Sequence, residues 1–121
     1  MHAPSNHIIR RLPLTASAVL FGIEAHVCVQ QTCFDLLREG KAVFVVADAC
    51  SSQRPGDREV ALQLMASAGA YVTTTESLML TLLGSASHPA FKAVAGVLKE
   101  HNAATAARGD SARLDSFCVS P

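Results

Sequence analysis

A thiol becomes a useful nucleophile when its thiolate is stabilised. The first turn of a helix does this with unpaired N–H groups and the positive end of the macrodipole. Cys28 is placed for that chemistry: an apolar run, Ala18-Val19-Leu20-Phe21, ends at Gly22, and a helical pattern opens at Val29. The same N–H groups can hold the oxyanion formed when a thiolate attacks a carbonyl. Removing one such donor typically costs roughly 2.7–4 kcal/mol of transition-state stabilisation. A free cysteine is also a small hydrophobe that is often simply buried. Position alone accommodates both readings of Cys28.

Three acid or base side chains lie near it. His26, two positions before Cys28, can serve as a base or as a solvated turn residue; Glu24 has the same two readings. Asp48, at the end of a second apolar run, reads as a loop anchor beside the site. Arg54, Asp57 and Arg58 read as a solvated charge run, with a docking surface as the other reading. The remaining thiols, Cys33, Cys50 and Cys118, form with Cys28 no C-x-x-C pair and no zinc knuckle. Their scatter through apolar elements suits reduced thiols in a cytoplasmic protein.

The elements that must position Cys28 follow from the apolar pattern. Ala18 to Phe21 is a short unbroken apolar run, predicted to be a strand covered on both faces. Val29, Cys33, Leu36 and Leu37 fall at i, i+4, i+7 and i+8, one helical stripe with Gly40 as its stop. Ala42 to Ala47 is a β-branched strand, and Ser51, Ser52, Pro55 and Gly56 mark a loop after it. Asp57 is expected to cap a helix whose stripe is Val60, Leu64, Met65 and Ala68, closed by Gly69. Ala70 to Thr73 gives a third strand. Thr73 with Glu76 fits a capping box for a helix through Leu78, Leu82 and Leu83, and Phe91 to Glu100 gives a last helix through Phe91, Val94 and Leu98.

Strands alternating with helices of this length predict an α/β fold: a three-layer, Rossmann-like parallel sheet of three strands with about four helices and right-handed crossovers. So few strands leave a sheet edge exposed and a thin core: either part of the fold is missing or a partner covers that edge. Residues 1–17, with Pro4 and Pro13, are expected to be a poorly ordered lead-in. Residues 18–100 form the domain, and residues 101–121 lack apolar periodicity and read as a disordered tail. Arg108-Gly109-Asp110 is a tripeptide that recurs by chance.

Charge and length exclude several classes. Ten basic residues balance ten acidic ones, so no field recruits nucleic acid or an anionic membrane. No apolar run approaches the ~20 residues a membrane span requires. Residues 1–23 hold no acid but include Arg10 and Arg11, the pattern of an organellar presequence; Ala18 to Ile23 reads better as a core strand.

Several spaced segments agree in order with one family. Gly22-Ile23-Glu24-Ala25-His26-Val27-Cys28-Val29 is followed by Thr32, Asp35-Leu36-Leu37 and Gly40, then by Val45-Val46-Ala47-Asp48-Ala49-Cys50-Ser51-Ser52. Thr73-Thr74-Thr75-Glu76-Ser77 and His88-Pro89-Ala90-Phe91-Lys92 extend the match. Over about residues 18–100 the chain resembles the isochorismatase-like cysteine hydrolases of the isochorismatase domain-containing type.

The resemblance implies that Cys28 attacks the carbonyl or imidate carbon of a small amide-type substrate through a covalent intermediate that water then hydrolyses. It also implies a cis peptide at Ile23–Glu24, and oxyanion donors in the backbone N–H groups of Glu24 and Cys28. Isochorismatase proper does not use this cysteine, so Cys28 points to the amidase-like branch. The family's catalytic aspartate and lysine, with the metal ligands of some members, lie upstream of the matching region. Here no acid precedes Glu24 and no lysine precedes Lys41. The expectation is therefore the C-terminal half of the fold, with no metal and no cofactor. It would act on a small molecule as a homo-oligomer or beside a full-length relative. The alternative is a non-catalytic fragment that pairs with such a relative.

Overall fold

The structure is a computed structural model that describes Pro13 and residues 15–108. The chain divides into two compact units, residues 1–74 and 75–121. The first unit is the α/β part. Its strands are β1 (Ser17–Gly22), β2 (Ala42–Cys50) and β3 (Tyr71–Thr73), and its helices are α1 (Gln30–Arg38) and α2 (Pro55–Ser67). A π-helical turn, Ala25–Val29, leads directly into α1. The strands lie in the order β1-β2-β3 and both pairs are parallel, as the alternation of strand and helix predicts.

β2 is the central strand because it carries the β-branched run. Val43, Val45 and Ala47 alternate into full burial, and Val46 is buried on the other face. β2 runs to Cys50, three residues beyond the predicted end, so Asp48 and Cys50 belong to the strand rather than to a loop. Around it pack Val29, Cys33 and Leu36, the predicted stripe of α1, with Leu37 only half-buried. Gly40, at φ 75°, ends that helix in a left-handed conformation; its N–H donates to the Leu37 carbonyl and the Lys41 N–H to the Leu36 carbonyl.

Two expectations about burial are corrected. β1 is not covered on both faces: Val19, Phe21 and Ile23 are exposed, Phe21 and Ile23 by 68% and 69%. β1 lies at the outside of the strand order, where an apolar run has a neighbour on one side only. Val19 pairs with Phe44 and Phe44 with Tyr71, so the three share one face, where the Phe44 and Tyr71 rings stack at 5.1 Å. In α2 the buried stripe is Arg58, Ala61, Leu62 and Met65, while Val60, Leu64 and Ala68 of the predicted stripe are exposed. Both sets have helical spacing. The small Ala61 and the hydrogen-bonding reach of Arg58 select the face that packs inward, although Val60 and Leu64 are the larger hydrophobes.

α2 begins at Pro55, with Arg54 as its N-cap residue and Asp57 in its first turn, so Asp57 is not the cap. The proline fits the first helical position because its missing N–H would have no partner there. Thr73 pairs with Val46 in β3 and does not cap the next helix.

The second unit holds α3 (Thr75–Leu83) and α4 (Phe91–Ala107), which contact each other. In α4 Leu98 is buried and Phe91 and Val94 are half-buried, as the stripe predicts. α4 runs seven residues past the expected end at Glu100. The alanines of Asn102-Ala103-Ala104-Thr105-Ala106-Ala107 favour helix without any apolar stripe, a preference that periodicity does not register. The expected disorder of residues 109–121, the rest of the Arg-Gly-Asp tripeptide, and the lead-in at residues 1–12 and 14 lie outside the described residues. Pro13 is described, and its carbonyl accepts from the Ala16 N–H and from the buried Lys41 Nζ, at 2.7 Å.

Leu62 is fully buried on α2. Truncation to alanine leaves a cavity that neighbouring elements fill only in part, so Leu62→Ala is expected to cost about 2–5 kcal/mol, read from the urea unfolding midpoint.

Candidate active site

The site is built where β1 and β2 end together. Gly22 closes β1 at φ 128°, a conformation open to glycine alone, and no neighbour lies within 4 Å of the position a Cβ would take. The glycine is thus required by the turn of the chain and not by crowding. The Ile23–Glu24 peptide that follows is cis. The chain then enters the π turn, in which the Val27 and Val29 N–H groups both donate to the Glu24 carbonyl at 3.2 Å.

β2 holds this turn from the other side. The register between the strands slips after Leu20–Val45, so that Gly22 stands opposite Cys50. The Ser51 N–H then donates to the Gly22 carbonyl at 3.2 Å, and the Ser51 carbonyl accepts from the Ala25 N–H at 2.9 Å. One step on, His26 Nδ1 shares a 2.8 Å hydrogen bond with Ser52 Oγ, and the Glu24 carboxylate accepts from the Gln53 N–H at 3.0 Å. Every residue from Ser51 to Gln53 is bonded to the segment Gly22–His26.

Cys28 lies in the π turn and is exposed. Cys33, in α1, and Cys50, at the end of β2, are buried. Burial pushes the Cys33 thiol up to about 11, against an ordinary value of 9.0. The Cys50 thiol is also raised, first by burial; the nearby Asp48 carboxylate adds to the rise, while a hydrogen bond at Gly22 and the Arg58 guanidinium oppose it. Cys118 lies outside the described residues.

The ring nitrogens of His26 are engaged with groups other than the thiol. Residues two apart in a helical turn point away from one another, and both ring nitrogens face other groups. Nδ1 meets Ser52 and lies 3.6 Å from Glu24 Oε2, and Nε2 lies 3.8 Å from Asp57 Oδ2 on α2. Glu24, Ser52 and Asp57 thus surround the imidazole. Among the described residues no group of three or more His, Cys, Asp and Glu side chains can hold a metal ion. Asp48 is half-buried in β2, two residues before Cys50.

Arg58 is the residue that sequence reasoning missed. It is buried, not solvated: Nε donates to the Cys50 carbonyl at 2.9 Å and an Nη to the Ala47 carbonyl. A guanidinium supplies several donors in a fixed fork, so one side chain satisfies two carbonyls at the end of β2. It lies four residues before Leu62 on the buried stripe, a phase that the larger Val60 and Leu64 masked in the sequence. A shallow depression lined by Phe34, Leu37, Arg38 and Ala68 contains no residue of the Cys28 turn.

A parallel α/β unit of this kind belongs to the class of open-sheet proteins, and the exposed cysteine stands at the carboxyl end of a strand, at its turn into a helix. Comparison with known proteins narrows this. The isochorismatase domain model matches residues 7–77, more than half of the chain, and the chain belongs to that family. Isochorismatase domain-containing protein 1 from Salmo salar is 48% identical over 91 residues, which cover 75% of this chain and 32% of that protein. Isochorismatase domain-containing protein 2 from Homo sapiens is 48% identical over 88 residues, 73% of this chain and 43% of that protein. Among solved structures, one described as the MAR1 ribonuclease of Caenorhabditis elegans matches with a TM-score of 0.67 and 44% identity, covering 77% of this chain and 47% of that one. The chain therefore spans less than half the length of these relatives. No helix among the described residues is long and apolar enough to cross a membrane.

Two stability tests follow from the site. Arg58→Met strands the Cys50 and Ala47 carbonyls without their donor, for an expected loss of about 1–3 kcal/mol in urea unfolding. Cys33 gives a pH signature. Its folded pKa, about 11, lies above the ordinary 9.0, so its stabilising contribution is complete below pH 9.0 and is lost as pH rises toward 11. Over that interval the wild type is expected to lose more unfolding free energy than Cys33→Ala, by parallel urea titrations at each pH.

Proposed function

We propose that this chain carries the nucleophile of an isochorismatase-type cysteine hydrolase. The observation that supports it is the sorting of thiols: Cys28 alone of the three described cysteines is exposed, and it stands in the turn between β1 and α1. In this reading the Cys28 thiolate adds to the carbonyl or imidate carbon of a small amide-type substrate. The N–H groups of Glu24 and Cys28 hold the charge that develops on the substrate oxygen or nitrogen. Collapse breaks the bond to the leaving nitrogen, which departs with a proton, and leaves an acyl thioester on Cys28. Water then cleaves the thioester and restores the thiol.

The chain provides no acid before Glu24 and no lysine before Lys41, and both ring nitrogens of His26 face Ser52 and Asp57. Turnover in this reading therefore draws its general base from outside residues 18–100, in a homo-oligomer or beside a full-length relative, in the cytoplasm. The Caenorhabditis elegans neighbour is described as a ribonuclease. A zero formal net charge offers no overall electrostatic attraction to a polynucleotide, in keeping with a small-molecule substrate here.

A second reading, a non-catalytic partner of a full-length relative, is favoured by the exposure of Val19 and Phe21 on β1 and of Ile23 just after it. Such a partner would elute from size exclusion as a complex when mixed with the relative.

Alkylation by iodoacetamide at pH 7, located by peptide mass spectrometry, tests the nucleophile. Cys28 is expected to react about tenfold faster than free cysteine, with the label lost in Cys28→Ala. A rate equal to that of free cysteine overturns the hydrolase reading.

A further inference from the structure

We infer that His26 is a positioning residue: its ring fastens the Cys28 turn to the segment after β2 and to the first turn of α2. The inference deepens the proposed function, since it rests on Cys28 as the nucleophile, but the fastening itself is a property of the turn.

The geometry favours a fastener over a base. His26 and Cys28 are two apart in one π turn, so their side chains diverge. The ring is spent on other groups. Nδ1 bonds Ser52 Oγ at 2.8 Å, and Nε2 faces the Asp57 carboxylate at 3.8 Å, a weaker and longer-range contact. Ser52 lies 26 residues along the chain from His26. One side chain thereby joins three elements: the turn, the end of β2 and the start of α2.

Glu24 of the same turn also faces the ring. Glu24 Oε2, 3.6 Å from Nδ1, is itself held by the Gln53 N–H, so the carboxylate and the hydroxyl flank the same nitrogen. The main-chain bond from the Ala25 N–H to the Ser51 carbonyl runs alongside, one residue earlier in both segments. Side-chain and main-chain bonds thus form one clasp. Its purpose in this reading is to fix where the amides of the turn point, and so how well they stabilise a thiolate at Cys28.

Two measurements test the clasp on the whole chain. Amide hydrogen exchange reads it directly: His26→Ala is expected to speed exchange at the Ala25 and Val29 amides about two- to tenfold, the range for losing one modest hydrogen bond. Amides of β2 away from the clasp, such as Val45, stay unchanged. Iodoacetamide alkylation of Cys28 reads the consequence. His26→Ala is expected to slow it about two- to tenfold, and His26→Asn, whose amide can still reach Ser52, restores most of the rate.

Unchanged exchange at Ala25 and Val29 in a folded His26→Ala protein overturns the clasp, whatever the alkylation rates. Where wild-type Cys28 reacts faster than free cysteine, so does an alkylation rate in His26→Ala equal to the wild type, or an Asn variant no better than the alanine one. A wild-type Cys28 that reacts only like free cysteine, with exchange nonetheless faster in His26→Ala, overturns the nucleophile and leaves the clasp standing. If His26→Ala fails to fold, Ser52→Ala removes the same hydrogen bond from the other side and is read by the same criteria.

Discussion

Everything at the candidate site depends on one short parallel meeting of backbone: Gly22–His26 against Ser51–Gln53. Two main-chain bonds, through Ser51, and two side-chain bonds, to Ser52 and Gln53, tie the end of β1 to the end of β2. Parallel pairing brings the carboxyl ends of neighbouring strands to the same edge, and there the chain can leave the sheet without losing all its partners. The slip in register after Leu20 allows the longer β2 to reach past β1 and meet the turn. Without that overhang the π turn would hang from Gly22 alone.

The clasp also explains how one fold gives three cysteines three fates. Cys33 follows the apolar stripe of α1 into the core, where burial keeps its thiol neutral well above the usual range. Cys50 sits under Arg58 at the end of β2, buried but close to charge. Cys28, five residues before Cys33 and next to the buried Val29, falls off that stripe and stays at the surface. Reactivity of a cysteine is set by such surroundings rather than by the residue itself.

Much of this was legible in the chain. The α1 stripe, the stop at Gly40, the β-branched β2 and the parallel alternation all come from local pattern, and the structure has them. The phase of α2 was not legible, because Val60 and Leu64 outweigh Ala61 in any hydrophobic count while the sheet selects for close approach and for the hydrogen bonds of Arg58. The exposure of Val19 and Phe21 belongs to a sheet face shared with the exposed Tyr71 of β3, which no single segment encodes. At the site, Cys28 and Gly22 were visible as a strand-to-helix junction. The bond between His26 and Ser52 was not, since it joins residues 26 apart and requires both strands in place.

That separation bears on how the protein is made. Synthesis from the amino end delivers Cys28 well before Ser51, Ser52 and Gln53 exist, and parallel strands, which rely on distant contacts, are slow to pair. During that interval the thiol is an ordinary one without its frame. The frame around it belongs to the paired strands, so the turn is complete only once β2 and the residues after it are in place.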